Sequence, residues 1–379
     1  MNKICFVITS AFPLNIFLRP HLEILRHDFE ITVYVNTGDM GVAPDVPPEV
    51  RVVHLPIRRN ISPIVDLLTL LRLVGILRRE SFDLVFSMNP KSGLLAMAAA
   101  FITRVPRRVH CFTGQVWATR RGFWRWLLKG MDRLLAACAT RLLADSASQR
   151  QYLIKEGVVC PEKIEVLANG SMAGVDVKRF CPDEDARRRV RSRFGIEEDA
   201  CCLLYVGRLK RDKGVADLIE AFNRLGSRFS NLHLLLVGPD EEGFDLLVRD
   251  VARIHRVGYT QVVEEYMAAA DVFCLPSYRE GFGLVLIEAG AVGLPVVASR
   301  IYGITDAVVE GKTGLLHESG EVDDLTRKME TLIEDALLRK KLGEAGRLRA
   351  VGMFGADTVT AAMAEFVQAL FKEPSKRAG

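Results

Sequence analysis

Short apolar runs recur along this chain between longer helical patterns, and that alternation constrains the fold more than any other feature. KICFVIT (3–9), ITVYVN (31–36), RVVHLP (51–56), DLVFSM (83–88), RRVHCFTG (107–114), LLADS (142–146) and KIEVLANG (163–170) read as buried strands. Helical patterns fall between them, among them 63–79 and 91–104. A second series follows: CLLYVG (202–207), LHLLLVG (232–238), RIHRVG (253–258), DVFCLP (271–276) and PVVAS (295–299). Strands and helices alternating at these lengths predict an α/β protein built on doubly wound parallel sheets. At 379 residues the chain exceeds one ordinary core, so two domains are expected. The Asn169-Gly170 turn and the run through VDVKRFCPDEDARRR read as the linker, giving domains at 1–170 and 171–355.

The stretch PSYREGFGLVLIEAGAVGLPVVAS (276–299) carries the densest chemistry. It leaves a strand end, turns through Ser277, Tyr278, Arg279, Glu280, Gly281, Phe282 and Gly283, enters an apolar helix and finishes in a strand. Such a unit places ligands at the carboxyl end of its first strand. Glycines let backbone N–H groups come close to a ligand, and a helix start favours negative charge. Glu280 lies in the loop, where its carboxylate can meet a polar ligand. Glu288 lies in an otherwise apolar helix, where a charge is costly unless something satisfies it. Taken alone, Glu288 reads equally well as a side chain snorkelling from an amphipathic helix. With a helix start near Gly283, it sits roughly 7 Å along the axis. Two acceptors so spaced suit two hydroxyl-bearing parts of one elongated ligand.

Glu280, seven intervening residues and Glu288 stand within S-x-x-E-G-F-G-x-x-x-x-E-A-x-A-x-G-x-P-V-V-A, which resembles the E-x7-E signature of retaining GT-B glycosyltransferases of the family 4 type. The resemblance implies a GT-B fold, two Rossmann-like domains facing a central cleft, with the final helix (356–372) returning to the first. It implies that Glu288 holds the ribose of a nucleotide-sugar and Glu280 the hydroxyls of the transferred sugar, with backbone contacts from Gly281, Phe282 and Gly283. The segment HCFTGQVWATRRG (110–122) resembles capsular and O-antigen polysaccharide enzymes of the family. Many relatives carry a histidine just before the glycine of that segment. Here Thr113 holds the place, able to donate a hydrogen bond to a sugar hydroxyl but not to act as a base near neutral pH. His110, three residues earlier, reads as a structural histidine. Relatives also carry a glycine pair after the first strand, where this chain has Ser10, Ala11 and Phe12.

The loop in VGRLKRDKGVADLIEAF (206–222) holds Gly207, Arg208 and Lys213 ahead of a helix start. Arg208 offers forked hydrogen bonds and Lys213 a point charge, which suits a diphosphate. The matching residues of the family bind the nucleotide diphosphate, while Lys210 and Arg211 read as solvated. HRVGYT (255–260) resembles the family loop that holds the base through backbone bonds, giving Val257, Gly258 and Tyr259. Uracil fits such contacts, and guanine stays open. KTGLL (312–316) reads as a structural turn.

Charge is uneven: residues 1–180 carry net +9 and the remainder −5. TRRGFWRWLLKGMDRLLAACATRLL (119–143) mixes Phe123, Trp124 and Trp126 with Arg120, Arg121, Arg125, Lys129 and Arg133. A basic helix with aromatics suits the interface of an anionic membrane. The alternative is a helix packed on the sheet through Leu127, Leu128, Met131, Leu134 and Leu135. Arg58, Arg59, Arg72, Arg78 and Arg79 around the helix at 63–79 widen the same basic face. No apolar run reaches the ~20 residues that span a bilayer, and the N-terminal run reads as a strand rather than a signal peptide. The eight scattered cysteines have no zinc spacing and fit reduced thiols. Asp183, Glu184 and Asp185 formally fit a metal-binding D-x-D but read as a helix cap. No nucleic-acid motif accompanies the basic half, and no strand is followed by G-x-G-x-x-G, which disfavours a nicotinamide dehydrogenase.

Together these readings imply a retaining, metal-independent glycosyltransferase with no cofactor. Its expected donor is a UDP-sugar, UDP-N-acetylhexosamine among the candidates. Its expected acceptor is a saccharide on a lipid diphosphate of the undecaprenyl type, in capsule or O-antigen synthesis. The expected location is cytoplasmic, peripheral at the inner face of the bacterial cytoplasmic membrane, with domain closure about the 169–182 and C-terminal crossings. A nucleotide-sugar 2-epimerase of the same fold and a non-catalytic nucleotide-binding adaptor at the membrane surface stand as alternatives.

Overall fold

The computed structural model describes residues 1–38, 42–58, 60–248, 251 and 253–373; Arg59 and the tail beyond 373 lie outside the described residues. The chain divides into two compact units, Met1–Gly174 with the chain from Ala356, and Val175–Gly355.

The first unit holds strands β1 (Asn2–Ser10), β2 (Phe29–Asn36), β3 (Arg51–His54), β4 (Leu84–Met88), β5 (Arg107–Phe112), β6 (Arg141–Ala144) and β7 (Ile164–Glu165). Its helices are α1 (Ala11–Pro13), α2 (Arg19–Leu25), α3 (Pro63–Glu80), α4 (Pro90–Ile102), α5 (Gly122–Cys138) and α6 (Ala147–Lys155). The second unit holds β8 (Cys201–Val206), β9 (Leu232–Val237), β10 (Ile254–Val257), β11 (Val272–Leu275), β12 (Val296–Ser299) and β13 (Gly314–His317). Its helices are α7 (Glu184–Phe194), α8 (Val215–Gly226), α9 (Phe244–Val248), α10 (Val263–Ala269), α11 (Leu284–Val292), α12 (Ile304–Ala307), α13 (Val322–Glu334) and α14 (Ala336–Phe354). The last helix, α15 (Ala356–Lys372), belongs to the first unit. There Arg107 Nε donates to Leu370 O (2.7 Å), and Gln368 Nε2 to Asp28 Oδ2 (2.8 Å).

Both sheets are parallel, with orders β3-β2-β1-β4-β5-β6-β7 and β10-β9-β8-β11-β12-β13. The central strands are buried along most of their length and carry apolar cores such as ICFVI in β1 and LLYV in β8, as parallel sheets covered on both faces require. The order reverses between β1 and β4 and again between β8 and β11. In doubly wound sheets the crevice at such a reversal, outside the carboxyl ends of the strands, is where ligands sit.

Several boundaries differ from those the sequence predicts. The chain enters α1 straight after β1, with Ser10 extended at φ −151° and a π-helical turn at Leu14–Leu18. Without a glycine there, no left-handed turn forms. The strand expected over 163–170 stops at Glu165, and the backbone then turns through positive φ at Ala168, Gly170 and Ser171. The turn expected at 312–316 contains the start of β13, which pairs with β12. Gly314 permits that pairing, since a Cβ there would stand 2.6 Å from Val296 O.

The expected linker contains α7. Asp183 caps it, Oδ1 accepting the N–H groups of Asp185 and Ala186 at 2.9 Å each. Asp183 therefore does structural work of the kind that satisfies orphan donors at a helix start. Asp183→Ala should lower stability by about 1 kcal/mol, on the order of 2–4 °C in melting temperature. Asp183→Asn should keep most of it in calorimetry, whereas equal loss in both variants would count against a cap.

Candidate active site

The loops after β8 and β11 meet at the strand reversal of the second sheet. Their approach is set by Gly214, at φ +69°, where a Cβ would fall 2.0 Å from Pro276 O. Only glycine allows both that conformation and that contact. Pressed together, the loops bond repeatedly. Tyr278 N donates to Asp212 O (3.0 Å), Arg279 Nη2 to Asp212 Oδ2 (2.8 Å), and Tyr278 Oη to Asp217 Oδ2 (2.7 Å). Lys213 Nζ donates to Glu280 Oε1 at 2.6 Å, and Ser277 Oγ to the same oxygen at 2.8 Å. Both bonds fall on Oε1, so among the described residues Oε2 of Glu280 keeps its lone pairs for a ligand. Glu280 and Lys213 are held by one another in side chains that are mostly buried.

Gly283 supplies a left-handed residue (φ +87°) immediately before α11, and Gly293 (φ +93°) closes that helix. Phe282 turns away from the loop into the core, 5.2 Å from the Phe354 ring, so it contributes backbone to the site and anchors it with its side chain. Glu288 lies in α11 between buried neighbours. Among the described residues it has no hydrogen-bond or ion-pair partner. Burial pushes its carboxyl up to about 7, Arg179 pulling it down and Glu264 pushing it up.

Arg179 escaped the sequence reading, although it stands in the VDVKRF run read as part of the linker. Its Nη2 donates to Glu264 Oε2 (2.7 Å) and to Gln261 O, and its guanidinium lies 5.1 Å from the Phe180 ring. It thereby fixes the segment after β10 that contains Gly258 and Tyr259. Val257 O and Gly258 O both accept from Gly238 N, at 2.9 and 3.2 Å. Tyr259 is half exposed. Arg208, next to Gly207 (φ +153°), gives Nη1 to both oxygens of Glu241 at 3.2 and 3.1 Å. Arg208, Lys213, Glu280 and Glu288 thus all lie in the second unit, with Gly207, Val257, Gly258, Tyr259, Gly281, Phe282 and Gly283.

Thr113 lies in the first unit, half-buried just past β5. His110 is buried, its Nδ1 2.9 Å from Ser87 Oγ, and burial lowers its pKa to about 3. It is a neutral structural histidine. The basic stripe of α5 is narrower than its sequence predicts. Arg125 Nη2 and Lys129 Nζ both reach Glu156 Oε2 (2.8 and 2.6 Å) and both stand over the Trp117 ring. Arg133 Nε donates to Gly157 O (2.9 Å). These three cations serve the fold. Arg120, Arg121, Phe123, Trp124 and Trp126 are exposed.

Residues 186–349 match the family described as "Glycosyl transferases group 1", and residues 21–170 match the "Glycosyl transferase 4-like domain". The chain is 30% identical over 373 residues to the capsular polysaccharide biosynthesis glycosyltransferase CapM of Staphylococcus aureus, covering 97% of this chain and 96% of that one. It is 29% identical over 289 residues to the UDP-Gal:alpha-D-GlcNAc-diphosphoundecaprenol alpha-1,3-galactosyltransferase of Escherichia coli, 74% of each. The solved structure of sucrose-phosphate synthase from Thermosynechococcus elongatus matches with a TM-score of 0.82 at 21% identity, over 98% of this chain and 100% of that one.

The raised Glu288 carboxyl has a signed consequence. Near pH 7 this group is about half protonated, and a hydroxyl donor is held best by its ionised form. With the ribose role that the sequence resemblance implies for Glu288, nucleotide binding should release about half a proton at pH 7 and tighten between pH 6 and 8. Calorimetry in buffers of differing ionisation heat should find that release in the wild type and its loss in Glu288→Gln. An identical proton count in the two would refute it.

Proposed function

The chain belongs to the group 1 glycosyltransferases, and from that membership we propose that it moves a sugar, with retention at the anomeric carbon, from a UDP-sugar to a saccharide on a lipid diphosphate in surface-polysaccharide synthesis. The observation that carries this reading is the Lys213–Glu280 pair at 2.6 Å, set at the strand reversal of the second sheet. The named activities of the capsular and galactosyl relatives support the substrate classes.

In this reading the bond between C1 and the β-phosphate oxygen breaks, and its electrons stay on the phosphate. Arg208, Lys213 and the N–H groups from Gly281 to Gly283 stabilise that charge, so positive charge comes from the chain rather than from a metal. Oε2 of Glu280 accepts from a hydroxyl of the transferred sugar, and Glu288 from the ribose. The acceptor hydroxyl forms its bond to C1 on the face the phosphate leaves, giving its proton to the departing phosphate. Thr113 is assigned to the acceptor side as a hydrogen-bond donor, and the backbone at Val257, Gly258 and Tyr259 to the base.

The acceptor's lipid supports a peripheral seat at the membrane. Among the described residues no helix is long and apolar enough to cross a bilayer. Two helices that pack on α4 expose apolar side chains instead. α3 shows Ile64, Leu67, Leu68 and Leu71, one face at helical spacing, and α5 shows Phe123, Trp124 and Trp126. Exposed Arg58, Arg72, Arg78, Arg79, Arg120 and Arg121 surround them. Apolar faces of this extent beside cations suit an anionic lipid interface.

Transfer from a UDP-sugar to a short-chain lipid-diphosphate saccharide, followed by NMR of the product, tests the chemistry. The expected product keeps the donor's anomeric configuration, activity survives EDTA, and Glu280→Ala lowers kcat by about a hundredfold. An inverted product removes retention. Donor converted to an epimer without acceptor replaces the reading with an epimerase. For the seat, sedimentation with phosphatidylglycerol vesicles should lose about tenfold on replacing Leu67, Leu68, Trp124 and Trp126 with serine. Lys129→Gln should change it little; the reverse pattern would sink the assignment.

A further inference from the structure

The cations of the loops after β8 and β11 carry acidic partners within the chain. Lys213 holds Glu280, Arg279 holds Asp212, and Arg208 holds Glu241. The first two acids already belong to the interlocked loops. Glu241 has no part in the donor reading and no motif singles it out. It stands in GPDEEG (238–243), directly after β9.

That loop is fixed by its own backbone. Asp240 Oδ1 accepts from Glu242 N and Gly243 N (3.0 and 2.9 Å), and Oδ2 from Asp245 N (2.7 Å). Leu209 N donates to Pro239 O (2.8 Å) and Glu241 N to Leu209 O (3.1 Å), which ladders the loop after β9 to the loop after β8. Gly238 allows the approach, since a Cβ there would stand 2.1 Å from Gly207 O. The ladder presents both oxygens of Glu241 to one nitrogen of Arg208, with Lys210 Nζ 3.7 Å from Oε2.

We propose that Glu241 is a displaceable counter-ion that weakens the hold on the diphosphate, and on the released nucleoside diphosphate more than on the sugar donor. The inference rests on the donor-site reading above and adds a residue that opposes binding. Glu241 engages Arg208 through Nη1, so among the described residues Nε and Nη2 stay open to phosphate oxygens. A diphosphate brings more charge and more acceptors than one carboxylate and takes the guanidinium. Glu241, held by backbone bonds, remains beside the phosphates as a like charge. Loss of the sugar exposes one further ionisable phosphate oxygen, so the product feels that charge more than the donor does. Glu241 then re-pairs with Arg208 as the nucleotide leaves.

Calorimetry on the full chain with UDP, GDP, UDP-glucose and the neutral nucleosides uridine and guanosine tests this. Glu241→Gln should bind the nucleoside diphosphate about tenfold tighter, the sugar nucleotide less so, and the nucleoside with unchanged affinity. Glu241→Asp, which keeps the charge but withdraws it by one methylene, should fall between. Melting curves confirm that both variants fold. A merely structural role would move the nucleoside and the diphosphate together. Unchanged or weaker diphosphate binding by the variants, with binding by the wild type, overturns the counter-ion and leaves the donor site standing. No diphosphate binding by the wild type overturns both.

Discussion

What lets the second unit assemble a polar site at all is the absence of a side chain at Gly214. The Pro276 carbonyl occupies the space a Cβ would need, so two loops from non-adjacent parts of the chain approach to hydrogen-bonding distance. Once they do, Lys213 and Glu280 pair across the gap, and so do Arg279 and Asp212. Each of these charges sits largely out of solvent, where an unpaired ion would be strongly destabilising. Pairing compensates each charge and holds it in place, the preorganisation a charged ligand requires.

The same logic explains why the site lies where it does. Parallel strands leave their carboxyl ends on one edge of the sheet, and neighbouring loops diverge only where the winding reverses. In the second sheet that reversal separates β8 from β11, the two strands that feed the interlocked loops. β9 and β10 add their own loops alongside, one bearing Glu241 and the other Gly258 and Tyr259. Phe282 pins the turn by lying against Phe354, so the glycine loop hangs from a packed aromatic pair.

Most of the architecture was legible in the sequence because a strand covered on both faces must be apolar, and a helix must bury one stripe. The two interlocking loops after β8 and β11 were legible too, since glycine and charge together mark them. What stayed hidden depends on contacts between residues far apart in sequence. The helical pattern of α5 shows Arg125 and Lys129 as a basic face, and nothing local reveals that Glu156 claims both. Arg179 lay in a recognised run, yet its bond to Glu264 joins positions 85 residues apart. The exposed leucines of α3 were missed for the opposite reason: periodicity shows that a stripe exists but not whether anything covers it.

Glu288 leaves a mark on how this chain can be altered. Its folded carboxyl holds a proton to about 7, against an ordinary 4.5. The folded chain therefore binds more protons than the unfolded one between those values, and this group's contribution to stability falls as pH rises through them. Above pH 7 the native state carries a charge it would be more stable without. Selection for heat tolerance alone, in alkaline medium, should accordingly converge on uncharged residues at this position and yield hardier proteins that lack the carboxylate assigned above to the ribose.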